Sequence, residues 1–95
     1  MGKIAHTGLL FKYYWRDMYY VYILQCKDGK PYTGSTSNLK ERIHRHQNGQ
    51  VPSTVKRLPV KLSSYFAFLA KHTAFNFEKY LKSGSGRSFV KKHLV

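Results

Sequence analysis

Residues 18–34 read MYYVYILQCKDGKPYTG, and this stretch decides the fold. Tyr19 to Gln25 is dense in aromatic and β-branched residues, the composition of a pleated, partly buried surface. A second extended segment runs to Gly34, and Lys27-Asp28-Gly29-Lys30 separates the two. Asp-Gly is the pair favoured by a type I′ turn, so the stretch predicts a β-hairpin. Tyr22 and Tyr32 then lie on neighbouring strands, ten residues apart in sequence.

Outward from the hairpin, Asn38-Leu39-Lys40-Glu41 has the form of a capping box, in which Asn38 accepts from the Glu41 amide while Glu41 reaches back. It predicts a helix from Leu39 to about Asn48, with Gly49 as its C′ stop. Pro52 to Pro59 is a basic loop, and Val60 to Leu69 reads as a third strand. Thr73 can cap a second helix through Ser83, Gly84-Ser85-Gly86 breaks it, and Arg87 to Leu94 forms a last short helix. The order is ββαβαα, so the class is α+β: a three-stranded antiparallel sheet covered by helices. On the other side of the hairpin, residues 1–17 read as an N-terminal extension to a domain over 18–95. Met18 is an alternative start for that domain, and Leu9 to Trp15 an alternative short helix packed on its body.

The chain has 95 residues, room for one small domain with an economical core. Seventeen Lys and Arg face four acids, for a formal charge of +13. The basic residues are spread from Lys27 to Lys92 rather than massed in a tail, so the folded body itself is positive and suits a polyanion. Cys26 is the only cysteine, which excludes an intramolecular disulfide and a cysteine-cluster zinc site and suits a reducing cytoplasm. No apolar run approaches the ~20 residues of a membrane span, and no targeting signal is legible.

Three residues invite a chemical reading beside a structural one. Leu39, Arg42, Ile43 and His46 share one helix face at i, i+3, i+4 and i+7, so Arg42 borders the core stripe. It is either a snorkelling arginine whose stem covers apolar surface or a phosphate ligand. His46 is either a buried histidine satisfied internally or a participant in the site. Glu78, on the second helix, either pairs with Lys82 at i+4 or supplies a hard oxygen to a divalent cation. Four acids are too few for a clustered two-metal nuclease site, and no Gly-x-Ser-x-Gly elbow is present.

Taken in order, Tyr20-Val21-Tyr22, Tyr32-Thr33-Gly34, Asn38 to Arg42, His46 and Phe77-Glu78-Lys79 closely resemble the GIY-YIG nuclease domain, and in particular its small stand-alone bacterial members. The resemblance covers about residues 18 to 94, with Tyr20 and Thr33 standing where the motif name expects Gly and Ile. It implies a DNA endonuclease that hydrolyses phosphodiester bonds with one divalent metal, Mg²⁺ or Mn²⁺, and no other cofactor. By position, Tyr32 would take a proton from the attacking water and Tyr22 would hold a phosphate oxygen or that water. Arg42 would stabilise the charge on the phosphorus, His46 would be a phosphate contact or proton relay, and Glu78 would bind the metal. An unperturbed phenol, of pKa about 10, is a poor base unless metal and cationic neighbours favour the phenolate. Lys30, Arg45, Lys56, Arg57, Lys82 and Arg87 are the candidate DNA-backbone contacts. Repair, restriction and mobile-element roles all suit such a domain.

Two further readings stay open on residues alone. One is a non-catalytic basic module on the same fold, whose tyrosines stack on bases. The other is a nuclease directed by His44, His46 or His72, weakened because residues two apart on a helix diverge by about 200°.

Overall fold

The computed structural model describes residues 18–95, and the expectation for residues 1–17 lies outside them. Three strands, β1 (Tyr19–Cys26), β2 (Pro31–Thr36) and β3 (Val60–Phe68), form one antiparallel sheet in the order β2-β1-β3. Helix α1 (Leu39–Gln47) follows β2, while α2 (Lys71–Lys82) and α3 (Gly84–His93) follow β3. The ββαβαα order and the α+β class stand as the sequence predicts.

The central strand is buried on both faces because helices cover both. Val21 and Ile23 point to α2 and α3, where they pack with Ala74, Leu81 and Val90. Tyr22, Leu24 and Cys26 point the other way, toward Leu39 and Ile43 of α1 and toward Leu58. This two-sided burial is why β1 reads as a nearly continuous apolar run rather than an alternation. β2 is an edge strand, so what it carries is open to a partner on one side.

Four local expectations are corrected. Only Gly29 has positive φ (81°) and Asp28 does not, so the hairpin turn is not type I′. Gly29 N–H donates to Cys26 C=O at 2.9 Å, the three-residue type I form closed by a left-handed glycine. The capping box is half formed: Glu41 N–H donates to Asn38 Oδ1, but Asn38 N–H goes to Thr36 Oγ1 at 3.0 Å instead of to Glu41. Thr73 caps nothing, because α2 begins at Lys71 with Ala70 in the cap position and no side-chain cap bond. The burial of Ala74 and Leu81 against β1 outweighs the local cap signal.

The fourth correction concerns Gly84-Ser85-Gly86, which is the first turn of α3 rather than a break before it. Ser83 Oγ accepts from Gly86 N–H at 3.2 Å and caps that turn. A Cβ at Gly86 would lie 1.9 Å from the Tyr80 carbonyl oxygen, so the two helices meet backbone to backbone. At the end of α1 the expectation holds. Gly49 (φ 72°) donates to His46 C=O and Gln50 to Arg45 C=O, the paired bonds of a Schellman stop.

Candidate active site

The register of the hairpin decides what can meet. Tyr22 pairs with Gly34, and Leu24 pairs with Tyr32, so Tyr22 and Tyr32 face α1 from adjacent strands. Their ring centroids are 6.4 Å apart. Gly34 is required by this pairing: a Cβ there would sit 2.5 Å from the Tyr22 hydroxyl. The aromatic ring crosses the strand where the second motif ends in glycine.

Tyr22 is fully buried and its hydroxyl lies 2.7 Å from His46 Nε2. His46 is fully buried as well, and its Nδ1 lies 2.8 Å from Thr54 Oγ1. Both ring nitrogens therefore have internal partners, and His46 orients Tyr22 rather than facing solvent. Burial pushes the Tyr22 phenol up to about 12, against the opposing pull of the Arg42 guanidinium beside it. Burial, helped by the charges of Arg42 and Arg45, lowers His46 below its ordinary value. A protonated phenol and a neutral imidazole fit two directions of the relay: Tyr22 O–H to Nε2 with Nδ1–H to Thr54, or Thr54 O–H to Nδ1 with Nε2–H to the phenol oxygen. Thr54 is a member of this chain of contacts that sequence reasoning missed. It lies in the basic loop, eight residues past His46, and only its complete burial marks it.

Arg42 borders the same phenol, and its Nε is buried with no hydrogen-bond partner among the described residues. A buried, unpaired guanidinium donor is costly unless an acceptor is supplied from outside. The rest of the Arg42 head is hydrogen-bonded to the Tyr22 side chain.

Glu78 comes from the other face of the sheet. Ser35 pairs with Val21, on the α2 side, and its hydroxyl donates to Glu78 Oε1 at 2.7 Å. Lys82 Nζ lies 2.8 Å from Oε2, so the i+4 pairing is realised. Glu78 still contributes to the electrostatics of Tyr22. The phenols, Arg42 and His46 thus lie on one face of the sheet and Glu78 on the other, joined to β2 through Ser35.

A groove along that edge is lined by Tyr32, Lys30, Lys82, Arg87 and Lys91. It gathers Lys30, Lys82 and Arg87 from the expected backbone contacts, while Arg45 and Lys56 lie off it. Arg57 also borders the groove, but its guanidinium is clamped on both carboxylate oxygens of Asp28, at 2.7 and 3.2 Å, and on Lys30 C=O. The same contact holds the Asp28 carboxyl down at about 2. His44 and His72 are exposed, whereas His46 is buried.

A divalent cation is implied by the resemblance, and the donor set fits a sparse site only. Among the described residues no three His, Cys, Asp or Glu side chains cluster. Glu78 would offer one carboxylate, and a hard divalent cation that takes one or two carboxylates completes its shell with water and substrate phosphate.

Comparison with known proteins gives the family and the fold. The family described as GIY-YIG catalytic domain matches residues 18–92. A UPF0213 protein of Pediococcus acidilactici is 40% identical over 76 residues, 77% of this chain and 78% of the relative. A UPF0213 protein of Clostridium perfringens is 48% identical over 66 residues, 68% of this chain and 71% of the relative. The solution NMR structure of a UPF0213 protein from Bacillus halodurans is similar with a TM-score of 0.51 and 36% identity, covering 79% of this chain and 83% of that one.

Proposed function

Because the chain belongs to the GIY-YIG catalytic-domain family, a family of nucleases, we propose that it is a metal-dependent DNA endonuclease. One observation carries the reading: the Arg42 Nε is buried beside the Tyr22 phenol with no hydrogen-bond partner among the described residues. A phosphate is the acceptor that such a donor suits, since the guanidinium fork offers two parallel hydrogen bonds.

In this reading a DNA strand lies along the β2 edge, its phosphates against Lys30, Arg87 and Lys91. Tyr32, only part buried on the edge strand, is the general base. As phenolate it takes a proton from water while the water oxygen bonds to phosphorus and the bond to the leaving 3′ oxygen breaks. Arg42 stabilises the charge on the non-bridging oxygens. Tyr22, fully buried with its hydroxyl on His46 Nε2, acts as a positioning residue beside Arg42, its orientation held by His46 and Thr54. Glu78 would hold Mg²⁺ or Mn²⁺, which when bound would act as a Lewis acid on the phosphoryl oxygens and the leaving group.

The test is incubation of purified protein with supercoiled, branched and single-stranded DNA, with and without Mg²⁺ or Mn²⁺. Cleavage is expected only with metal, absent in Glu78→Ala and down about 10²-fold or more in Tyr32→Phe. Failure of the wild type to cut any of the three forms would remove the reading.

A further inference from the structure

Glu78 is held by two partners of different kind. Ser35, across the strand–helix boundary and 43 residues away in sequence, donates a neutral hydroxyl to Oε1. Lys82, one helical turn along α2, places its ammonium on Oε2. The carboxylate is largely enclosed, with a side-chain exposure of 14%, whereas Lys82 is 52% exposed on a flexible stem. A carboxylate oxygen can accept from a hydroxyl and still ligate a metal, so Ser35 is compatible with a bound cation. An ammonium on Oε2 is not: it occupies the position a divalent ion needs and repels it.

We propose that Lys82 is a built-in counter-ion, occupying Glu78 Oε2 in the metal-free protein and displaced by a divalent cation, and that Ser35 is the positioning residue that keeps Oε1 oriented throughout. This rests on the endonuclease reading of Glu78. The lysine end of this i,i+4 pair is half exposed on a flexible stem, so the ammonium can move while the carboxylate stays in place. Its alternative location is close at hand: Lys82 borders the groove shared by Tyr32, Arg87 and Lys91. A strand phosphate there would receive the displaced ammonium, so metal and DNA each favour the arrangement that the other needs. By linkage the effect is reciprocal.

The experiment is Mn²⁺ titration followed by the loss of the free-ion electron paramagnetic resonance signal, without DNA. Wild type, Lys82→Met, Lys79→Met, Ser35→Ala, Ser35→Thr and Glu78→Gln are compared. Lys79 is the charge control, since its ammonium lies over the Phe75 ring, 5.3 Å from the centroid, rather than on Glu78. Lys82→Met is expected to tighten Mn²⁺ binding roughly two- to fivefold, the range of a partly exposed ion pair, and Lys79→Met to change it by less. Ser35→Ala is expected to weaken it about tenfold or more, with Ser35→Thr restoring it, as loss of one hydrogen bond to a charged group implies. Binding that disappears in Glu78→Gln but is unchanged or weakened in Lys82→Met overturns the counter-ion role alone. Equal tightening by Lys79→Met and Lys82→Met does the same, since net charge then suffices. Binding indifferent to Glu78→Gln removes the metal role of Glu78 and this inference with it.

Discussion

The Tyr22 hydroxyl lies 2.7 Å from Nε2 of His46, and neither side chain has any exposed surface. Twenty-four residues separate them in sequence, and this polar contact ties the first strand to the first helix inside an apolar layer. In a low-dielectric site the bond is strong when made and costly when broken. Tyr22→Phe would leave His46 Nε2 without its partner. Stability is expected to fall by about 1–3 kcal/mol in urea unfolding, with an unchanged slope. A loss below ~0.5 kcal/mol would show that water replaces the phenol.

The same pair contributes to the pH dependence of stability. Tyr22 keeps its proton to about pH 12 when folded but gives it up near 10 when unfolded, so its contribution is complete below pH 10 and is lost between 10 and 12. The stability lost across that window is on the order of 2 kcal/mol. On the acid side His46 is held neutral, so stability declines as pH falls below the ordinary histidine value of 6.5. Thermal melts from pH 5 to 12 test both declines, and the alkaline decline should shrink in Tyr22→Phe.

Gly34 and Gly29 separate packing from backbone strain. Gly34→Ala places a methyl 2.5 Å from the Tyr22 hydroxyl, and Tyr22 is enclosed and unable to retreat. Destabilisation of ~1–3 kcal/mol is expected, with DNA cleavage falling further than stability. Gly29→Ala meets no atom within 4 Å and suffers only from its φ of 81°. It should cost about 1–2 kcal/mol and leave the cleavage rate per folded molecule unchanged. Equal activity losses in the two variants would contradict the assignment of Gly34 to the site.

Arg42→Lys keeps the charge but loses the planar fork and the buried Nε. The turnover rate is expected to drop about 10²-fold or more with a much smaller change in DNA affinity, measured by single-turnover cleavage and by binding in EDTA. An effect confined to affinity would make Arg42 a binding residue only.

The groove residues differ in freedom, and salt should reveal it. Each DNA phosphate contact removed lowers the slope of log K against log salt by about 0.9 for a duplex. Lys30→Ala and Arg87→Ala should each approach that value. Arg57→Ala should change the slope less, because Asp28 already neutralises its guanidinium. A full-sized effect at Arg57 would mean that DNA separates the Asp28 pair.

Much of the fold was legible because its signals are short-range. The aromatic strands, the Asn38 cap, the Gly49 stop and the helical spacing of Leu39, Arg42, Ile43 and His46 are written within a few residues. The corrections arose where a short-range signal competed with packing. Thr73 offered a cap, but burial of Ala74 and Leu81 set the start of α2 earlier. Gly86 looked like a breaker, yet it is the contact point that lets α3 begin against α2.

The candidate site divides along the same line. By its ordered motifs, the sequence determined which side chains to examine, Tyr22, Tyr32, Arg42, His46 and Glu78, and its charge determined the kind of partner. Tertiary structure alone decided their states. It buried Tyr22 and His46, recruited Thr54, left Arg42 Nε unpaired and brought Ser35 and Lys82 to the two oxygens of Glu78. Burial and hydrogen-bond partnership depend on contacts between segments far apart in the chain, and residue spacing encodes neither.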